Sequence, residues 1–169
     1  MRSCSAPFAS LYLDQHGFAR ACCMNVYQLL GNVAERSLRE IWDGAALTEL
    51  RRAVERHDLT VGCEFCKWRV DEGREDLAFA RWFDEYDDEP DDPRWPRQLE
   101  LSISNTCNLQ CVMCNGEWSS SIRSQREHRE PLPTVYGDRF FEELVEFVPH
   151  LRRVKVLGAS PSSRRRRCG

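Results

Sequence analysis

Two stretches of short apolar elements, separated by an acidic segment, make up most of the chain. The first stretch begins with a predicted hairpin: a strand over residues 8–13, a turn over residues 14–17 and a second strand over residues 18–21. A cysteine lies near each open end of this hairpin. We therefore expect Cys4 and Cys22 to lie close enough to share a metal centre.

Helical patterns follow the hairpin. Ser37 and Glu40 have the spacing of a capping box, which predicts a short helix beginning there. A second helix is predicted over residues 45–57, because three apolar residues recur on one face: Leu47, Leu50 and Val54.

A third helix is predicted over residues 71–86, before the acidic segment. Its broad apolar side is expected to pack into a core, and it consists of Leu77, Phe79, Trp82, Phe83 and Tyr86. Residues 84–93 are acidic and interrupted by prolines, so they are interpreted as a solvated linker. They lack the glycine and regular ligand spacing of a calcium loop.

The second stretch predicts strands over residues 99–104 and 154–157, with helices over residues 119–129 and 138–149 between them. The expected buried stripe of the last helix is Phe140, Phe141, Leu144, Val145 and Val148. This order of elements is typical of the start of a parallel α/β arrangement, so the predicted fold class is α/β.

Composition narrows the function classes. The 169 residues carry a net charge of −3, which gives no reason to expect nucleic acid as a partner. No apolar run approaches the ~20 residues of a membrane span, and no secretory signal is visible, so a cytoplasmic location is expected. In a reducing compartment, closely spaced cysteines are more typical of metal sites than of disulfides.

Two groups of the nine cysteines have metal-ligand spacing. Cys63 and Cys66 form a pair that grips zinc or iron in many proteins. Cys107, Cys111 and Cys114 follow the strand at residues 99–104. Three thiolates leave one iron of a four-iron cluster open to a small molecule, so this loop is a candidate reactive centre.

The loop around these three cysteines resembles the signature of the radical SAM superfamily. The resemblance implies a 4Fe-4S cluster that binds S-adenosylmethionine (SAM) at its open iron and generates a 5′-deoxyadenosyl radical. It places Met113 near the adenine of SAM. It also implies a partial (β/α)6 barrel, an electron donor such as a flavodoxin or ferredoxin, and a peptide or small-molecule substrate.

The N-terminal half resembles the SPASM or twitch module, which holds an auxiliary 4Fe-4S cluster. The resemblance assigns four ligands: Cys4, Cys22, Cys63 and Cys66. Cys23 stays an alternative to Cys22, although the spacing from Gly17 favours Cys22. The predicted organisation is an α+β module at residues 1–73, a helix and acidic linker at 74–95, the first one to two β/α units of the radical SAM core at 96–157, and an aberrant arginine-rich tail at 158–169.

Two other interpretations of the cysteines differ in the chemistry that they imply. A non-enzymatic module could hold zinc at the same four N-terminal cysteines for structure or protein interaction. A thiol–disulfide redox protein is disfavoured, because the pair at Cys63 and Cys66 lacks the expected βα context.

From residue 158 the chain departs from the radical SAM pattern. The family has a Gly-Gly-Glu-Pro stretch here that binds the methionine amino group, whereas residues 158–163 read Gly-Ala-Ser-Pro-Ser-Ser. Loss of one G from GGC GGC GAG CCC TTC CTC gives codons for this sequence, so a frameshift that truncates the core is expected. The chain would then lack most of the catalytic barrel and be inactive. A basic nucleic-acid-binding tail at residues 164–167 is disfavoured, since no aromatic residues interleave the arginines.

Overall fold

The computed structural model describes residues 2–157. The expected frameshift and arginine-rich tail fall on residues 158–169, outside the described residues. The α-helices are α1 (Ala6–Ala9), α2 (Leu38–Trp42), α3 (Ala45–Glu55), α4 (Glu64–Asp71), α5 (Ser120–Gln125) and α6 (Asp138–Phe147). The strands are β1 (Ser10–Leu13), β2 (Phe18–Arg20), β3 (Gly31–Asn32), β4 (Gln98–Leu101) and β5 (Arg153–Val156). Short 3-10 helices cover Glu75–Leu77, Phe79–Tyr86 and Val148–His150.

One five-stranded sheet joins both stretches of the chain. Its strand order is β3-β2-β1-β4-β5, with β1 antiparallel to β2 and parallel to β4. β4 is in turn parallel to β5. The α/β class is confirmed, and so is the predicted hairpin of β1 and β2. The Gly31-Asn32 pair is typical of a turn in sequence, but in the structure it pairs with β2 as the short strand β3.

The predicted helix starts of the first stretch are confirmed. Ser37 accepts a hydrogen bond from the Glu40 backbone at 3.1 Å, and the Glu40 carboxylate accepts one from the Ser37 backbone at 2.8 Å. This reciprocal pair is the capping box that opens α2. In α3, the three predicted core residues are buried: Leu47, Leu50 and Val54.

Trp42, at the end of α2, lies in the middle of the core and is 0% exposed. Its indole Nε1 donates a hydrogen bond to the Pro93 carbonyl at 2.9 Å. The Arg51 guanidinium of α3 lies over its ring at 4.6 Å, and Arg51 Nε donates to the Pro7 carbonyl at 3.0 Å. Trp42 therefore joins α2, α3 and the segment that leads into β4, so it is a packing residue.

The segment after α4 differs from the single helix expected over residues 71–86. It forms two 3-10 helices, of which Phe79–Tyr86 buries Phe83 and Tyr86 but leaves Trp82 exposed. The acidic segment is not solvated throughout. Glu89 is buried and accepts hydrogen bonds from Arg97 at 2.9 and 3.0 Å. A buried carboxylate needs such a partner.

The second stretch buries less apolar surface than its sequence pattern indicates. In α6, Phe140 and Phe147 are buried, but Phe141, Val145 and Val148 of the expected stripe are exposed, Val145 by 69%. The strand predicted at residues 154–157 has the apolar sequence of a buried strand, but it is the sheet edge β5, and Val156 is 71% exposed. The pattern predicts which side is apolar, whereas burial depends on what packs against it.

No helix within residues 2–157 is both long and apolar enough to cross a membrane.

Candidate metal centres

Four of the predicted ligands line one cavity, which we call the four-thiol cavity: Cys4, Cys22, Cys63 and Cys66. Cys4 precedes α1, and Cys22 follows β2, whose residue Arg20 pairs with Tyr12 of β1. The antiparallel hairpin therefore returns Cys22 to the end of the sheet where β1 begins. Cys63 is the N-cap of α4 and Cys66 lies in the first turn of that helix.

Burial dominates the electrostatics of these thiols. It raises the pKa of Cys4 to about 12 and that of Cys63 to about 11, because an apolar surrounding disfavours the thiolate. Burial also raises the pKa of Cys22 and of Cys66 above the usual range. To bind a metal these thiols must lose their protons, and the bound metal then supplies the positive charge that stabilises the thiolates.

Two of the four thiols also accept a hydrogen bond from an N–H group. The Ala6 backbone donates to Cys4 Sγ at 3.4 Å, and Asn25 Nδ2 donates to Cys63 Sγ at 3.7 Å. At the other two thiols burial has the larger influence on the pKa, and backbone amides oppose it only in part: that of Met24 at Cys22, and those of Ala80 and Phe79 at Cys66. Such donors partly offset the negative charge of thiolate ligands.

Cys23 lies apart from this cavity. It does not line it, and burial followed by the Glu100 carboxylate raises the pKa of its thiol. Glu100 belongs to β4 and accepts a hydrogen bond from Lys155 of β5 at 2.7 Å. Cys22, and not Cys23, therefore shares the cavity with the other three thiols.

The cavity has a volume of about 20 Å³, close to the room that one water molecule needs. Within residues 2–157, no three His, Cys, Asp or Glu side chains are placed at distances suited to hold a metal ion. No three of these four thiols are therefore close enough together here to share one ion. The donor set itself, four soft thiols with N–H donors in an apolar shell, fits an iron–sulfur centre or zinc.

Residues 107–114, here called the three-cysteine loop, follow the carboxyl end of β4. The β4 strand is parallel to β1 and in register with it, so this loop and the four-thiol cavity lie at opposite ends of these strands. Because a four-residue strand spans about 10 Å, the two candidate sites are separated by about that length of strand. The backbone amide of Cys114 donates a hydrogen bond to the Cys111 carbonyl at 3.0 Å. In the described part of the chain, the three thiols of this loop are not close enough together to hold one ion.

Serines at the start of α5 hold the first half of this loop. Ser119 Oγ donates to the Leu109 carbonyl at 2.7 Å, and the Cys107 backbone amide donates to Ser120 Oγ at 3.2 Å. Cys111 is exposed, and Met113 is 85% exposed. The sequence alone assigned these serines no role beyond a helix start. Their function here is to fix the backbone on either side of Cys107.

The turn of the N-terminal hairpin contacts the segment after the loop. His16 Nε2 lies 2.8 Å from a Glu117 carboxylate oxygen, and Arg123 and Arg129 donate to the same carboxylate at 3.0 and 2.9 Å. The hydrogen bond from His16, followed by that from Arg129, lowers the pKa of Glu117. His16 thus hydrogen-bonds a carboxylate, whereas the sequence, with no paired spacing among its histidines, predicts a solvated or capping histidine here.

This pair predicts a pH dependence of stability. Because folding lowers the pKa of Glu117, its contribution is complete above the ordinary value of 4.5 and is lost as the pH falls through the lowered value. For a part-exposed carboxylate we expect about 1 kcal/mol. Urea unfolding of the parent chain and of Glu117→Gln, at neutral and at acidic pH, measures this contribution to the free energy of unfolding. Equal acid sensitivity of the two chains would contradict the prediction.

Comparison with known proteins supports the N-terminal part of this description. No curated protein and no solved structure was found to match the chain. A family match covers the N-terminal stretch, which contains all four cysteines of the four-thiol cavity and ends one residue after Cys66. It does not extend to the three-cysteine loop. Residues 4–67 match the SPASM domain, an iron–sulfur cluster-binding domain, and this match supports iron–sulfur binding by the chain.

Proposed function

We propose that this chain is a radical SAM family protein that binds two 4Fe-4S clusters. The four-thiol cavity would hold a closed auxiliary cluster, and the three-cysteine loop would hold a cluster with one open iron for SAM. The observation that carries the auxiliary cluster is that four thiols, from the segments before α1 and after β2 and from the start of α4, line one cavity within the SPASM match.

The chemistry of the four-thiol cavity supports a closed centre. Four thiolates complete the ligand set of a 4Fe-4S cluster, so no iron is open to a substrate. The apolar lining, which includes Leu50, Leu59 and Phe83, keeps water away from the thiols. Such a centre serves structure, electron transfer or substrate placement rather than direct chemistry.

The position of the three-cysteine loop supports the open centre. It lies at the carboxyl end of a parallel strand, the edge where α/β proteins place their ligands. A cluster bound there would supply the electron that cleaves the sulfonium bond of SAM. Cys107, Cys111 and Cys114 would be its ligands, and the exposed Met113 would contact the adenine.

The remaining parts of the proposal concern the surroundings of these centres. The unit from β4 to β5 would be the first β/α unit of a radical SAM core, because β4 and β5 are parallel and connected through α5 and α6. The electron donor would be a flavodoxin or ferredoxin, the substrate a peptide or small molecule, and the location the cytoplasm.

A second candidate function is a zinc-binding module without enzymatic activity. The small volume of the four-thiol cavity favours it, because one ion needs less room than a four-iron cluster. Four cysteine thiolates are a common structural zinc site. This candidate gives the three-cysteine loop no role.

Anaerobic reconstitution with iron and sulfide, followed by metal counting, tests the proposal. We expect about eight irons per chain and a thiolate–iron absorbance at about 400 nm. A Cys111→Ala chain should retain about four irons, those of the auxiliary cluster. Zinc without iron would favour the second candidate and contradict the first. Four irons in the parent that persist unchanged in Cys111→Ala would leave the SPASM cluster but contradict the radical SAM centre.

A further inference from the structure

Asn25 is a buried polar side chain between the loop that follows β2 and the start of α4. It lines the four-thiol cavity and is 1% exposed. Its Nδ2 donates hydrogen bonds to the Gly62 carbonyl at 2.8 Å and to Cys63 Sγ at 3.7 Å. One amide group therefore contacts a candidate ligand and the backbone directly before it.

The lack of a side chain at Gly62 leaves room for the Asn25 amide. Its φ of +69° lies in the left-handed region that favours glycine. A Cβ at this position would lie 2.8 Å from Asn25 Nδ2 and 2.4 Å from Gln28 Cβ. The residue before Cys63 must therefore be small for the Asn25 amide to reach both of its acceptors.

Burying the Asn25 amide has an energetic cost. Within the part of the chain that the structure describes, its Oδ1 has no hydrogen-bond partner. A buried oxygen without a donor costs roughly 1–3 kcal/mol, and an apolar side chain of similar shape would avoid that cost. What asparagine provides and leucine cannot is the N–H donor that points at Gly62 and Cys63.

Cys4 receives its hydrogen bond from the backbone amide of Ala6, and a change of the Ala6 side chain would leave that donor in place. Cys63 receives its bond from a side chain. Hydrogen bonds to cluster thiolates stabilise the more negative, reduced state and so raise the reduction potential.

We propose that Asn25 is a positioning residue that orients Cys63 and raises the reduction potential of the auxiliary cluster. The inference rests on the proposed binding of that cluster in the four-thiol cavity. It adds a residue for which the cysteine spacing gives no indication. Three observations support this role: the two hydrogen bonds of Nδ2, the near-complete burial of the side chain and its close fit against Gly62.

A redox titration of the Cys111→Ala chain, which isolates the auxiliary cluster, tests the inference. In that chain, Asn25→Leu removes the donors and keeps the volume. We expect its reduced-to-oxidised ratio at a fixed potential to fall about tenfold, or about 59 mV for a one-electron couple. Asn32→Leu is the matched control, since the Asn32 amide bonds the His16 carbonyl and the Ala34 amide instead. It should leave the potential unchanged.

The outcomes separate this inference from the proposed function. If the Cys111→Ala chain binds no iron, the proposed cluster is absent. If it binds about four irons and Asn25→Leu has the same potential, only the role of Asn25 is overturned. If Asn25→Leu does not load, Asn25→Ala is titrated in its place. Failure of both to load, with circular dichroism unchanged and Asn32→Leu loading normally, supports positioning of Cys63.

Discussion

Replacing Cys22 with alanine should abolish stable iron binding in the four-thiol cavity, whereas replacing its neighbour Cys23 should not. Cys22 lines the cavity with the other three thiols, whereas Cys23 does not line it. The two variants make the same chemical change at adjacent positions. Any difference between them therefore reports which side chain is a ligand rather than how the loop folds.

The measurement is iron retained after a chelator challenge, in the Cys111→Ala chain so that only one cluster contributes. We expect about four irons in that chain and in its Cys23→Ala variant, and fewer than about one in Cys22→Ala. The challenge is needed because three thiolates still hold a cluster, but leave one iron open to attack. Loss of iron in Cys23→Ala alone would assign the ligand to Cys23. Retention in both would place the cluster elsewhere.

Local sequence patterns predicted much of the first stretch. The hairpin of β1 and β2, the capping box at Ser37 and the helix α3 all depend on residues within a few positions of each other. The shared cavity of Cys4 and Cys22 follows from that hairpin, because an antiparallel turn brings its two ends together. Their role as ligands stays a prediction.

Pairing between distant strands was beyond such patterns. The spacing of apolar residues marks β4 as a strand, but it does not say that β4 lies parallel to β1, some 85 residues earlier in the chain. That pairing joins the cysteine-rich stretch and the second stretch in one sheet. It also decides that the four-thiol cavity and the three-cysteine loop lie at opposite ends of the strands.

Residues that act through a single contact were also missed. Asn25 belongs to no periodic pattern, and its importance depends on the position of Cys63 in space. One signal was available, since Gly62 directly before a paired cysteine indicates a turn that a larger residue would not allow. For the exposed side of α6, the apolar period was correctly read, but period alone does not determine burial.

Replacing Trp42 with alanine should destabilise the protein more than any surface substitution. Its ring is 0% exposed, so the change leaves a large cavity between α2 and α3. It also leaves the Pro93 carbonyl without its indole donor. Truncation of a buried tryptophan costs about 3–5 kcal/mol. Because the free energy of unfolding of domains of this size is only about 5–15 kcal/mol, the substitution would remove a large part of it.

Urea unfolding of the reduced chain measures this effect, with an expected fall of about 2 M in the midpoint. Trp68→Ala is the matched control, because Trp68 is 48% exposed and contacts Arg69 and Phe65 at the surface of α4. It should cost within about 1 kcal/mol. If Trp42→Ala is too unstable to purify, Trp42→Phe keeps most of the volume and loses the bond to Pro93. A Trp42→Ala chain as stable as Trp68→Ala would contradict the central packing role, since a core that closes around so large a loss does not depend on that ring.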